Sequence, residues 1–180
     1  MTFSIGTSFV FALLSLCLTV SSASAQDSFV PCRRFLHQIE CIAVPLATPA
    51  EDVQAKQFGV PPNGLARIYL IRSGTMEPKQ KSEIFLDGKW FANLAPMTYL
   101  VMETSAGLHT IGSDLQQTSA LRVNAASDKN TYVKERLYQF FNSEKILFEI
   151  VDQQTGEADV LKSSLIRSVS NTVNDRPLSP

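Results

Sequence analysis

His109 and Asp87 are the side chains in this 180-residue chain whose types best suit acid–base chemistry. His109 is one of only two histidines and follows a glycine turn at Gly107, a place where a general base can sit. No local motif sets a serine or cysteine nucleophile beside it, and scattered residues do not define a triad. It therefore reads as a structural or surface histidine. Asp87 precedes Gly88, and that pairing marks a turn residue rather than a catalytic carboxylate. Cys32, His37 and Cys41 offer metal-ligating atoms, but they are three ligands with no fourth nearby and no paired CxxC, too few for a structural zinc site. Tyr132, Tyr138, Phe140 and Phe141 supply aromatic faces on which a ring could stack, although such a group more often belongs to a core. Glycine-rich phosphate loops, HExxH and GxSxG are all absent from the sequence. These residues assign no catalytic, cofactor-binding or metal-binding position, and the expectation is a protein that is not an enzyme.

The elements that position these residues are strands. From Ala66 to Ser113 short apolar runs are separated by turn signals. Ile68 and Leu70 alternate with Arg67, Tyr69 and Ile71, and this period of two predicts a strand with one face buried. Asp87-Gly88 stands between Ile84–Leu86 and Trp90–Leu94 and supplies the positive φ values of a tight hairpin. Thr98 to Thr104, a turn at Ala106-Gly107 and Leu108 to Ser113 then read as a second hairpin. Further on, Leu121 and Val123 alternate with polar neighbours, Ser127 to Asn130 is a turn, and Thr131 to Phe140 and Ile146 to Val151 are strands. A short helical turn is expected around Glu157 to Leu165, after Thr155-Gly156. The fold class is all-β: an antiparallel β-sandwich of about seven strands over residues 65–167, preceded by one short helix.

A net charge of −1 disfavours nucleic acid and anionic membrane as partners. At the N-terminus, Phe9 to Val20 is an unbroken apolar run too short to span a bilayer, followed by Ser21-Ser22-Ala23-Ser24-Ala25-Gln26. That is the pattern of a signal peptide over residues 1–25, cut after Ala25, so that the mature chain starts at Gln26 and is exported. The segment before the run lacks Lys and Arg, which leaves the true start codon open. Lipidation at Cys17 is disfavoured by the large Leu16 before it.

After cleavage Cys32 and Cys41 remain, and an even pair in an oxidising compartment predicts a disulfide. Its loop of about ten residues would contribute roughly 2.5–3 kcal/mol in the chain-entropy account. Thr48-Pro49-Ala50-Glu51 has the form of a capped helix start, and the helix is expected to end near Phe58 and Gly59. The arm over residues 26–64 carries this helix. The polar tail over 168–180 is expected to be disordered.

Several segments carry a resemblance in their order: C-I-A-V-P-L-A-T-P-A-E-D-V-Q-A-K-Q-F from Cys41 to Phe58, A-R-I-Y-L-I-R, the F-L-D-G-K turn, T-Y-L-V-M-E-T, and G-L-H-T-I. Together they resemble the bacterial envelope family of domain of unknown function 2846, from Cys41 to about Asp152. The resemblance implies a β fold and an address in the periplasm or cell envelope, and it brings no catalytic residue. Many members carry a lipid on the cysteine at the position of Cys41; here Gln38-Ile39-Glu40 before it do not form a lipobox. The rhythm of the turns is also similar to sandwich modules of the PEGA type, a likeness of fold only.

Two function classes follow. One is a non-catalytic envelope module that binds an envelope protein or glycan through a sheet edge or face. The other is a small-ligand carrier or hydrolase with a cavity inside the sandwich. A polar pocket around His109 or Asp87 would favour the second.

Overall fold

The structure, a computed structural model, describes residues 27–34, 37–62, 64–114, 120–140 and 143–167, with side chains from Ile42 onward except those of residues 139–144. The expected signal peptide and the tail after Arg167 lie outside these residues.

The chain begins with β1 (Asp27–Arg34) and β2 (His37–Pro45), an antiparallel pair. The sequence reading expected no strands in this arm. Pro31 breaks the pattern there, and the ladder shifts register between Phe29 and Pro31, where a residue without an N–H is tolerated. Next comes α1 (Pro49–Ala55), and here the capping box forms as expected. The Thr48 N–H donates to Glu51 Oε2 at 2.7 Å and the Glu51 N–H to Thr48 Oγ1 at 3.3 Å, satisfying two donors that a helix start otherwise leaves bare.

Two further sheets form the body. One has five strands in the order β10 (Ser143–Val151), β9 (Asn130–Phe140), β3 (Leu65–Arg72), β6 (Thr98–Ser105) and β11 (Ser164–Leu165). The other has four, in the order β5 (Lys89–Leu94), β4 (Ser82–Leu86), β7 (Gly107–Ser113) and β8 (Leu121–Ala125). Pairing is mostly antiparallel, with β3 against β9 and β11 against β6 parallel. The fold is all-β, with eight strands, β3 to β10, between Leu65 and Val151 where about seven were expected. One buried cluster draws on both sheets: Ile68, Leu100 and Val133 from the first, Ile84, Ile111 and Val123 from the second.

Three expectations need correction. First, β3 is buried on both faces. Ile68 and Leu70 point into the shared core while Tyr69 and Ile71 join a second buried cluster with Tyr99, Tyr132 and Val160. A central strand covered on both sides loses its alternation of exposure, although side-chain direction still alternates. Second, β6 and β7 are not a hairpin: separated by Ala106 alone, they belong to different sheets. Gly107, at φ +143°, stands at the corner where the chain crosses between layers, a backbone conformation that favours glycine. Third, the C-terminal helix starts earlier than expected. Here α2 runs Gln153–Leu161, capped by Asp152, whose Oδ1 accepts the Thr155 N–H at 2.9 Å. Gly156, expected to precede the helix, lies inside it and is buried against Tyr132.

Candidate functional site

Asp87 and His109 come together. The Asp87-Gly88 turn forms with φ values of +52° and +77°, closing the two-residue loop between Leu86 and Lys89. That conformation aims the Asp87 carboxylate at β7. Its Oδ1 accepts the Thr110 N–H at 2.8 Å and its Oδ2 lies 2.7 Å from His109 Nδ1. The other ring nitrogen, Nε2, is 2.9 Å from the Ser105 carbonyl and 3.3 Å from Thr104 Oγ1.

An acid, an imidazole and a hydroxyl lie together as in a catalytic relay, but the Ser105 carbonyl competes with Thr104 for Nε2. A carbonyl oxygen only accepts, so this contact is a hydrogen bond when Nε2 carries a proton, and a protonated Nε2 does not take one from Thr104. Both ring nitrogens face acceptors, the Asp87 carboxylate and the Ser105 carbonyl, an arrangement that favours the imidazolium form. Accordingly the Asp87 hydrogen bond, aided by the Ser105 carbonyl, raises the His109 pKa above its ordinary value, against partial burial. The same bond, with the Thr110 amide, lowers that of Asp87. The arrangement works as a clasp joining the β4–β5 turn to β7 and the β6–β7 corner.

A second group of ionisable residues went unnoticed in the sequence. Arg72, Ser82 and Glu135 are all buried, with Glu135 2% exposed. Ser82 Oγ donates to Glu135 Oε1 at 2.8 Å, and Arg72 Nη1 lies 3.6 Å from the same oxygen, an ion pair without a hydrogen bond. The guanidinium spends its protons elsewhere, on the carbonyls of Gln80, Met76 and Glu77 at 3.0, 3.0 and 3.2 Å. It thereby organises the β3–β4 loop, whose Pro78 carbonyl accepts the Ile42 N–H of β2 at 2.8 Å. Among the described residues Glu135 Oε2 has no hydrogen-bond partner. Burial pushes this carboxyl up to about 7, against the pull of Arg72 and Ser82. A carboxyl titrating near neutrality is what proton-transfer chemistry uses, but this one is enclosed by the core. The signal was present in the sequence: Glu135 shares parity with Val133 and Leu137, and Arg72 with Ile68 and Leu70, so period two alone puts both on the apolar face.

The aromatic group expected to offer a ligand surface is divided. Tyr132 stacks on Tyr69 at 5.2 Å between ring centroids and lies under the helices, its hydroxyl donating to Glu157 at 3.1 Å. Tyr69 and Tyr99 reach Ala55 O and Asp52 Oδ1 of α1, both at 2.9 Å. Tyr138 is six residues farther along β9 and exposed, and the side chains of Phe140 and Phe141 lie outside the described residues. Among the described residues no group of three or more His, Cys, Asp or Glu could hold a metal ion, and no helix is long and apolar enough to cross a membrane. The side chains of Cys32, His37 and Cys41 lie outside them. In the ladder Cys32 stands opposite Ile39. A shallow, open depression runs along α2, lined by Gln153, Gln154, Glu157, Ala158 and Leu161.

The remaining feature is an edge. One side of β10 pairs with β9 over nine residues without a register shift, and among the described residues no strand pairs with the other side. Leu147 is 39% exposed and Ile150 54%. Two other edges are blunted: β11 has two residues, and the pairing of β5 with β4 is interrupted by a bulge between Ile84 and Phe85. By contrast β10 is long, regular and free of proline.

Compared with known protein families the chain matches none, and none of the solved structures matches it. It is similar to an uncharacterised protein of Haemophilus influenzae, 28% identical over 96 residues, which is 53% of this chain and 57% of the relative. The chain thus spans little more than half the length of that relative.

Proposed function

We propose that this protein is a non-catalytic, exported cell-envelope module that binds a protein partner by strand addition along β10. The observation that carries the reading is the long side of β10 that no strand pairs among the described residues, with Leu147 and Ile150 exposed beside it. Natural proteins protect such edges with charge, proline or a bulge unless something covers them, and an extended partner segment satisfies the bare backbone groups while its side chains read the neighbouring surface. The two acceptors that face His109 support the non-catalytic part of the reading, since a ring that donates from both nitrogens has no lone pair to act as a base. Export rests on the apolar run from Phe9 to Val20 and the small residues up to Ala25. Under the same reading Cys32 and Cys41 form a disulfide, and acylation at Cys17 or Cys41 is not expected.

The test is hydrogen exchange on the exported protein with and without its envelope extract. Slowed exchange confined to β10, lost in a Leu147→Lys variant, supports strand addition. A hydrolytic activity abolished by His109→Ala, with β10 exchange unchanged, would sink it.

A further inference from the structure

The open side of β10 carries a charge pattern of its own, and we infer that its occupant is a second copy of this chain, β10 against β10, antiparallel about a two-fold axis through Leu147. This rests on the strand-addition reading and names the partner. Cross-strand neighbours must share a face, and side chains alternate along a strand, so only registers pairing residues of like parity keep the helices of both copies on one side of a joined sheet. Two-fold symmetry makes every such pair reciprocal. Centring on Lys145 or Glu149 sets identical charges against each other. Centring on Ile146 or Phe148 leaves Lys145 opposite Leu147 or Val151. Centring on Leu147 sets Lys145 of each copy opposite Glu149 of the other, at both ends of the contact.

The exposed surface fits that register. Lys145, Leu147 and Glu149 share the face of β10 that lies across from Tyr138, Arg136 and Lys134 of β9. Leu147 meets its own copy at the axis, and the half-exposed Tyr138 ring, one strand inward, extends the apolar contact. Glu149 already takes the Arg136 Nε–H at 2.6 Å, so it is held in place to receive a second cation across the seam. Opposite charges directly across a strand pair attract, and like charges there repel.

The experiment uses the full exported chain and two single variants in sedimentation over a concentration series, with circular dichroism to check that each keeps the wild-type strand signal. The wild type forms a dimer. Lys145→Glu and Glu149→Lys each weaken it about tenfold or more, because two attractive pairs become repulsive. Mixing the two variants restores a tight mixed dimer, since each then supplies the charge the other lacks. Lys145→Glu is the cleaner arm, because Glu149→Lys also removes the Arg136 contact. A chain that stays monomeric at every concentration overturns the inference, as does a dimer that Lys145→Glu leaves unchanged or that mixing fails to restore. A monomer whose β10 amides become protected by a different envelope protein also overturns it, while leaving strand addition intact. If β10 is protected in neither setting, both readings fall.

Discussion

Gly156 in α2 faces the ring of Tyr132 on β9 so closely that a Cβ at position 156 would lie 2.3 Å from the ring Cγ and 2.4 Å from the Tyr132 Cβ. These are atoms at the base of the side chain, which cannot swing aside, and Tyr132 is itself stacked on Tyr69. Glycine ordinarily weakens a helix interior, but here it lets α2 sit directly on the sheet. Gly156→Ala should therefore destabilise the protein by about 1–3 kcal/mol, the range of an overpacked core, despite alanine's better helix propensity. Urea unfolding of the variant checks this. A more stable alanine variant would mean that α2 does not pack on Tyr132.

The Asp87–His109 clasp should show itself through pH. The folded-state pKa of His109 is raised above 6.5, so the stability it contributes is fully present below about 6.5 and is lost as pH rises through the raised value. Asp87→Asn should cost about 1 kcal/mol at pH 6, a figure kept small because the carboxylate is half exposed. The cost should shrink in alkaline buffer. Unfolding curves for wild type and Asp87→Asn between pH 5.5 and 9, as test conditions spanning the ordinary histidine range, will show converging midpoints if the clasp is ionic. Parallel curves would mean that His109 is neutral when folded.

Glu135 gives a linkage of the same sign from another cause. Its folded-state pKa of about 7 exceeds the ordinary 4.5, so its contribution is intact below about 4.5 and is lost as pH rises through about 7. The whole change is at most about 3 kcal/mol. Glu135→Gln keeps the shape and removes the titration. The variant's stability relative to wild type should therefore improve as pH rises from about 4.5 to about 7. A difference that stays constant over that interval would show that the carboxyl is already ionised at the acid end.

The strands of this fold were legible because their side chains alternate, and the Asp87-Gly88 hairpin and the Thr48 capping box because each rests on local chemistry. What escaped was long-range. Nothing between Ser105 and Gly107 distinguishes a hairpin from a crossing between sheets, since the choice depends on which strands β6 and β7 meet. The pairing of Asp87 with His109 spans 22 positions and follows only once β4 and β7 are neighbours. Glu135 and Arg72 were within reach, since their parity places them in the core. Gly156 was expected to precede the helix, whereas its position is set by the Tyr132 ring.

The proposed export makes a prediction of its own. The mature protein should begin at Gln26 and carry no acyl mass, because the residue before Cys17 is large and no lipobox precedes Cys41. Intact mass spectrometry of protein recovered from the envelope decides the matter. A diacylglyceryl adduct on either cysteine would move the protein to a membrane surface.

Cys32 and Cys41 pose the sharpest question about the arm. If the chain is exported and Cys17 removed by cleavage as proposed, each thiol meets an oxidising compartment with only the other as an intramolecular partner. The ladder pairs Cys32 with Ile39 instead, two positions short of Cys41. A diagonal separation of about 7–8 Å between such neighbours is too long for a disulfide without backbone movement. A slip of two residues removes that obstacle, and because strand side chains repeat every two residues it leaves each one on its original face. Oxidation should therefore shift the β1–β2 register and staple the arm to itself. Cys32→Ser with Cys41→Ser should lower the thermal midpoint while strand content is retained, and the untreated mature protein should show no titratable thiol. Two free thiols, or a midpoint that the paired substitution leaves where it was, would mean that the arm keeps the register in which Cys32 faces Ile39.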